Sequence, residues 1–332
     1  KENGLAQARG LDEDDSPVSS EPRPSNAPDG PSELLLWRVG GLVRTMRPHQ
    51  WVKNVFVLAP LVFAKEIFVP ELLLRAIGAF GVFCLLASAV YTMNDIADRA
   101  SDRSHPIKRH RPIPSGRVPP AWARAFTVLL VAVTLAGAAL GSLAFFVTVL
   151  SYFVLNVAYS FRLKQYAYVD VAIIATGFVL RVMAGGFATH IDVSWYLLAC
   201  TALLALFLGL GKRRHELAAI QSGTTSRQRA ALDDYSQRGL DRTLRLTALC
   251  TVATYVAYTL DANTVAFFRS ERLWWTSIFV VLGMLRFLHL VRGRPKAESP
   301  TQEILRDGPF VAILFSWIAV VMWIVYSLRP GQ

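Results

Sequence analysis

The chain reads as an all-α polytopic membrane protein, and three observations carry that reading. Hydrophobic residues make up 53% of the 332 positions and charged residues only 18%. The mean hydropathy is +0.36, a membrane rather than a soluble balance. Nine apolar runs recur along the sequence, at about 52–69, 72–94, 121–141, 143–161, 168–188, 194–211, 244–262, 273–291 and 309–328. A bilayer core of about 30 Å asks for roughly 20 apolar residues per helix, so each run is read as one span. Lastly, Lys and Arg segregate. The loops at 96–124, 162–167, 212–245 and 292–306 carry 21, whereas the alternate loops and the C-terminus carry five. The positive-inside rule places the richer side, and with it the N-terminus, in the cytoplasm and the C-terminus outside.

Residues 1–35 are rich in Pro, Ser, Asp and Glu and lack apolar periodicity, so a disordered acidic tail is expected, at least to about Pro31. The membrane domain is expected over 36–332. The chain starts at Lys1 rather than Met, as a trimmed or tagged start would, and no charged-then-apolar leader stands in the tail. Targeting is therefore expected from the first span. The tail holds a net −5 and the remainder +16. Such an excess beside a bilayer favours anionic headgroups or phosphorylated substrates. No soluble basic module is visible, so nucleic acid is excluded as a partner. Cys84, Cys200 and Cys250 fall inside apolar runs, without metal spacing or a disulfide framework.

A lead-in, LLLWRVGGLVRTM, precedes RPHQWVKN, where Pro48 suits a first helical turn and Trp51 an interface. Gly137 and Gly141 predict a tight turn between the third and fourth spans.

The end of the second span carries the chemistry. In YTMNDIADRASDRSHPIKRHRPIPSGR, Asn94, Asp95, Asp98 and Asp102 fall within nine residues. If the helix continues that far, steps of about 100° place the three aspartates within roughly 60° of arc. Carboxylates so arranged repel one another unless a cation lies among them. Oxygen-only ligands suit Mg²⁺, which is usually held by one or two carboxylates plus substrate phosphates. Arg99, Arg103, Lys108, Arg109, Arg111 and Arg117 follow directly, and such donors suit phosphate oxygens. The pattern reads as a Mg²⁺–diphosphate site with Asn94, Asp95, Asp98 and Asp102 as metal ligands. The plainer reading is that these acids and bases pair with each other in headgroup space.

A second element follows the fourth span. Tyr159, Arg162 and Lys164 stand at its end, Asp170 opens the fifth span, and Arg181 lies eleven residues further, on the same helical face. A charge as deep as Arg181 normally marks a polar cavity. The alternatives are positive-inside anchoring for Arg162 and Lys164, and a buried structural pair for Asp170 and Arg181. The 212–245 loop, opening on Lys212, Arg213, Arg214, His215 and Glu216, is long enough for a lid; a solvated charged helix is the plainer view. No histidine pairing for metal, Ser-His-Asp set, Walker loop or dinucleotide fingerprint is present.

With these residues in view, the chain resembles the UbiA superfamily of intramembrane prenyltransferases over about residues 40–328. The resemblance rests on the N-D-x-x-D-x-x-x-D stripe, the Tyr/Lys/Asp element and nine spans. It implies a nine-helix bundle around a central, cytoplasm-facing cavity in which aspartate-held Mg²⁺ binds a diphosphate. Typical aromatic prenyltransferases carry two aspartates in the second motif, whereas here only Asp170 follows YSFRLK. RPHQWVKN and YSFRLKQYAYVDV are similar instead to the branch that moves phosphoribosyl from phosphoribosyl pyrophosphate (PRPP) to decaprenyl phosphate. Its product, decaprenylphosphoryl-5-phosphoribose, feeds cell-wall arabinan synthesis.

That resemblance implies Asp95, Asp98, Tyr159, Lys164 and Asp170 as catalytic residues. It implies Lys53, Asn94, Arg103, Lys108, Arg109, Arg111, Arg162, Arg181 and Lys212 as substrate contacts. The membrane and the two substrates are the implied partners, and homo-oligomerisation is left open. A prenyltransferase with an aromatic acceptor and a membrane transporter stay as alternatives. Against transport, the acids lie at a membrane face rather than at the midplane, and no matched pair of broken helices is visible.

Overall fold

The computed structural model describes residues 28, 30–221, 230–293 and 306–327. All regular structure among them is helical. Helix α1 (Pro31–Thr45) leads into a 3₁₀ segment (Pro48–Leu58) and a short α2 (Ala59–Phe63). The long α3 (Pro70–Ala97) is followed by a short α4 (Arg99–Ser104). Then come α5 (Pro120–Ala139), α6 (Leu143–Phe161), α7 (Val169–Thr189), α8 (Trp195–Gln221) and α9 (Gln237–Leu260). Helices α10 (Ala262–Phe268), α11 (Ser277–Arg292) and α12 (Gly308–Ser327) complete the chain.

Seven of the nine expected spans are helices long and apolar enough to cross a bilayer: α3, α5, α6, α7, α8, α11 with its preceding turn, and α12. The other two depart from expectation. The run at 244–262 lies in α9, a 24-residue helix whose first turns carry Arg238, Asp241, Arg242 and Arg245. The run at 52–69 is no continuous span. Pro60 lacks the N–H that a continuous helix would use there, and the chain takes a 3₁₀ path to Leu58 followed by a short α-turn. Residues 31–35, grouped with the tail by composition, belong to α1. Residues 1–27 of that tail, and 222–229 of the expected lid, lie outside the described residues.

Sequential helices pack side by side: α3 on α5, α6 on α7, α7 on α8, α8 on α9. One core lies among α3, α5, α6 and α7, with Phe83, Leu86, Val149 and Tyr152 at its centre. A second joins α8, α9 and α11 through Phe207, Leu240, Leu244 and Phe287. Outward faces are apolar yet exposed, as at Leu74, Val128, Leu246, Leu285 and Phe315. In water that surface would be costly; in lipid it is the expected exterior. The tight turn foreseen at Gly141 is present, with the Ser142 side chain capping α6 by accepting from the Phe145 N–H.

Candidate active site

The aspartate stripe sits where α3 gives way to α4. The helix does not run on unbroken: Asp98 is at once the last cap of α3 and the first of α4. The turn nonetheless returns Asp102 to Asp95. Both are buried, at 3% and 2% exposure, and one guanidinium nitrogen of Arg111 lies 2.7 Å from Asp102 Oδ2 and 3.2 Å from Asp95 Oδ1. Arg47 also donates to Asp95 Oδ1, and Lys164 Nζ donates to Asp98 at 3.0 Å. Acids of the stripe are thus paired with bases, though Asp95 and Asp102 are buried rather than solvated. Of the expected second wall, Lys164 is the residue that reaches the stripe. Asn94 is half-buried in the last turn of α3 and its carbonyl accepts from the Asp98 N–H.

Two carboxylates converging on one nitrogen define a point that favours a cation. Among the described residues no three His, Cys, Asp or Glu side chains gather closely enough to hold a metal alone. The donor set therefore fits Mg²⁺ of the kind that takes one or two carboxylates and completes its shell with phosphate oxygens and water. It does not fit a metal caged by protein.

Further basic side chains stand on the segment that follows the stripe and on other elements. Arg103 is exposed and reaches the Pro114 carbonyl; Lys108 and the exposed Arg109 stand on the loop between α4 and α5. Arg162 is exposed beside Lys164. Lys212, on α8, is exposed and 4.0 Å from Glu216. Lys53 is ringed by protein, with Lys212, Arg181 and Arg47 in electrostatic reach, yet its surface stays accessible.

Asp170 and Arg181 do not pair. Asp170 is fully buried and lies 2.6 Å from Arg213 Nε. It also accepts from the Tyr235 hydroxyl at 2.7 Å. Arg213 in turn engages Glu216 and lies within electrostatic reach of Tyr159. Arg181 instead donates to Asn54 Oδ1, the Gly177 carbonyl and the Tyr152 hydroxyl. The structure therefore gathers Asp95, Asp98, Asp102, Arg111 and Lys164. It sets Asp170 apart in a knot at the starts of α7 and α9 and the end of α8.

Sequence reasoning missed Arg47, Asn54, Tyr152, Arg213 and Tyr235 as contributors. Arg47 carried one readable signal, its place in R-P-H-Q-W-V-K-N; its backbone is left-handed, at φ 52°. Tyr235 and Arg213 carried none, because their partner lies on another helix.

Residues 54–306 match the family model for the UbiA prenyltransferase family. The decaprenyl-phosphate phosphoribosyltransferase of Mycobacterium tuberculosis is 35% identical over 290 residues, 85% of this chain and 93% of the relative. The Corynebacterium glutamicum protein of the same name is 32% identical over 294 residues, 87% of each chain. Among solved structures, a UbiA homolog from Archaeoglobus fulgidus bound to DMAPP and Mg²⁺ superposes with a TM-score of 0.65 at 20% identity. That match covers 87% of this chain and 99% of the other. The stripe at the end of α3, the helical bundle around it and these similarities agree, and the chain belongs to the UbiA prenyltransferase family.

Proposed function

We propose that the protein transfers 5-phosphoribosyl from PRPP to decaprenyl phosphate, releasing pyrophosphate, at the cytoplasmic face of the plasma membrane. The observation that carries this reading is the similarity, over most of both chains, to relatives named for that acceptor and that group. The site supports it chemically: Asp95 and Asp102 converge on one Arg111 nitrogen, Arg47 also engages Asp95, and Lys164 meets Asp98.

Asp95 and Asp98, with Asn94 and Asp102 in support, would hold Mg²⁺ on the pyrophosphate. When bound, the metal supplies neutralisation of charge developing on the leaving group. Arg103, Lys108, Arg109 and Arg111 on one wall, with Arg162, Lys164 and Lys212 on the other, bind and orient the donor's phosphates. A lipid phosphate oxygen attacks the anomeric carbon. The new C–O bond forms as the bond to pyrophosphate breaks, and the electron pair leaves with pyrophosphate. At neutral pH the attacking phosphate is already anionic, so no strong general base is required. Positioning and preorganised charge supply the catalysis. Tyr159 stands beside the Arg213 knot, from which it could meet the ribose.

The test is transfer by the purified protein from radiolabelled PRPP, compared with a labelled prenyl diphosphate, in the presence of Mg²⁺ and decaprenyl phosphate. Incorporation from PRPP alone is expected. Asp95→Asn and Asp98→Asn should each lose most of it, since each removes a charge aimed at the metal. Lys164→Ala should raise the KM for PRPP. Labelling from the prenyl diphosphate in place of PRPP would transfer the assignment to the aromatic-acceptor class.

A further inference from the structure

The lead-in LLLWRVGGLVRTM supplies most of α1, a helix that contributes no side chain to the transfer site. At about 100° per residue, Leu35, Val39, Val43 and Leu36 share an arc of about 100°. All four are exposed, by between 43% and 72%. Glu33 and Arg44 lie on the far side, and Gly41 and Thr45 are the residues buried against the bundle. A helix of that pattern lies along a bilayer surface with its apolar face among the acyl chains.

Contacts fix α1 to the membrane face that carries the stripe. Arg117 Nε donates to the Trp37 carbonyl at 2.8 Å, and its guanidinium carbon lies 5.1 Å from the Trp37 ring centre. Thr45 and Thr92 of α3 share a hydrogen bond of 3.0 Å between their hydroxyls. Just beyond the helix, Arg47 bonds Asp95.

Beside these contacts α1 leaves a gap. An apolar groove lies between it and the start of α5, lined by Leu42, Ala121, Trp122, Ala125, Phe126 and Leu129. Leu129 is 57% exposed and Val133, one turn further along α5, is 50% exposed, so the groove runs out onto the lipid-facing side of that helix. Arg38, one turn before Leu42, stands over the Trp122 wall with its guanidinium carbon 5.6 Å from the ring centre. Tryptophan gathers at headgroup level, and arginine stacks on its face. The Arg38 Nε is buried and has no hydrogen-bond partner, and no carboxylate among the described residues pairs with that side chain. A buried donor in that condition is costly and asks for an acceptor. Around the groove the exposed residues are apolar or basic, Arg124 among them. A second copy meeting it face to face would therefore bring no anion to Arg38. A molecule with an anionic head and a hydrocarbon chain fits both halves.

We propose that the groove between α1 and α5 seats an anionic phospholipid, its phosphate on Arg38 and one acyl chain along Leu42, Phe126 and Leu129. This lipid is a structural ligand distinct from both substrates, and its binding does not depend on the reaction proposed above. Seated there, it braces the helix whose end delivers Thr45 to Thr92 and Arg47 to Asp95.

The protein is reconstituted in nanodiscs of phosphatidylcholine with or without phosphatidylglycerol, and the lipids it retains in detergent are counted by native mass spectrometry. The wild type should keep phosphatidylglycerol in preference to phosphatidylcholine and melt at a higher temperature in the anionic discs. Arg38→Gln is expected to lower that preference about fivefold, the weight of one arginine beside an anionic surface. Arg38→Lys, which keeps the charge, should lose less, and this separates loss of charge from a folding defect. Ala125→Phe fills the groove from an exposed position and should lower retention with Arg38 still in place. Equal retention of the two lipids, or retention unchanged in Ala125→Phe, refutes the seat. Displacement of the retained lipid by decaprenyl phosphate would assign the groove to the acceptor and refute it too. If Ala125→Phe instead dissociates an assembly of copies measured by light scattering, the groove is covered by a second copy and the lipid is excluded.

Discussion

Single side chains divide into those that face the mouth and those that hold it. Asp170 is the instructive case, because its sequence position beside Y-S-F-R-L-K suggests a substrate contact. In the fold it is fully buried, 2.6 Å from Arg213. The Tyr235 hydroxyl donates to it and itself accepts from the Tyr168 N–H. Burial, seconded by the Asp170 carboxylate, pushes the Tyr235 hydroxyl well above its ordinary pKa, so it remains a donor across the working pH range. Tyr168, at φ 64°, is held in a left-handed turn against that same tyrosine. A pair removed from water in this way stands or falls together: breaking one partner typically costs about 3–5 kcal/mol. Asp170→Asn is therefore expected to lower the melting temperature sharply, and a thermal denaturation scan checks it. A wild-type melting profile combined with lost transfer would return Asp170 to direct substrate contact. The charge of Asp170 was legible in the sequence. Its partner was not, since Arg213 arrives from the far end of α8 and no local periodicity links the two.

At the level of elements, the least regular piece does the most positioning. Apolar content made 52–69 look like a span, although a short one. A proline at position 60 and a close approach to α7 mark where it departs from a continuous helix. The 48–58 segment lies directly on α7, where a Cβ built at Gly185 would stand 1.9 Å from the Val57 carbonyl oxygen. Only a residue without a side chain lets the two backbones meet there, and that contact holds the segment that carries Asn54, the acceptor of an Arg181 hydrogen bond. Gly185→Ala must push the segment away. Overpacking of this sort costs typically about 1–3 kcal/mol and more where backbone is struck. Transfer activity should fall while α-helical circular dichroism is retained. Normal activity would show that the segment tolerates displacement and that its register does not set the site. The break at Asp98 teaches the same lesson in reverse. A helix carried through to Asp102 was the simple expectation, yet the turn into α4 still brings Asp102 and Asp95 to one nitrogen of Arg111. The spacing of the stripe was therefore informative although its assumed geometry was not.

For the molecule as a whole, the pattern of charge and the pattern of exposure are one argument. The bundle hides its polar centre and turns apolar side chains outward, so its only stable environment is a bilayer. In that setting the 21-to-five division of Lys and Arg among the loops selects an orientation. Arg111 and Lys164, which belong to those loops, bond the aspartates of the stripe, so the proposed reaction ties orientation to substrate supply. Its donor would be a soluble phosphorylated sugar of the cytoplasm, which a stripe on the opposite face would not meet. Single cysteines introduced on a background lacking Cys84, Cys200 and Cys250 test this directly. Ser101→Cys, exposed on α4, should resist a membrane-impermeant maleimide in intact cells and react after permeabilisation; Asp192→Cys, exposed between α7 and α8, should react in both. The reverse labelling would set the stripe outside the cell, away from any phosphorylated sugar donor. The proposed reaction would then lose its substrate even though every distance in the site stayed the same.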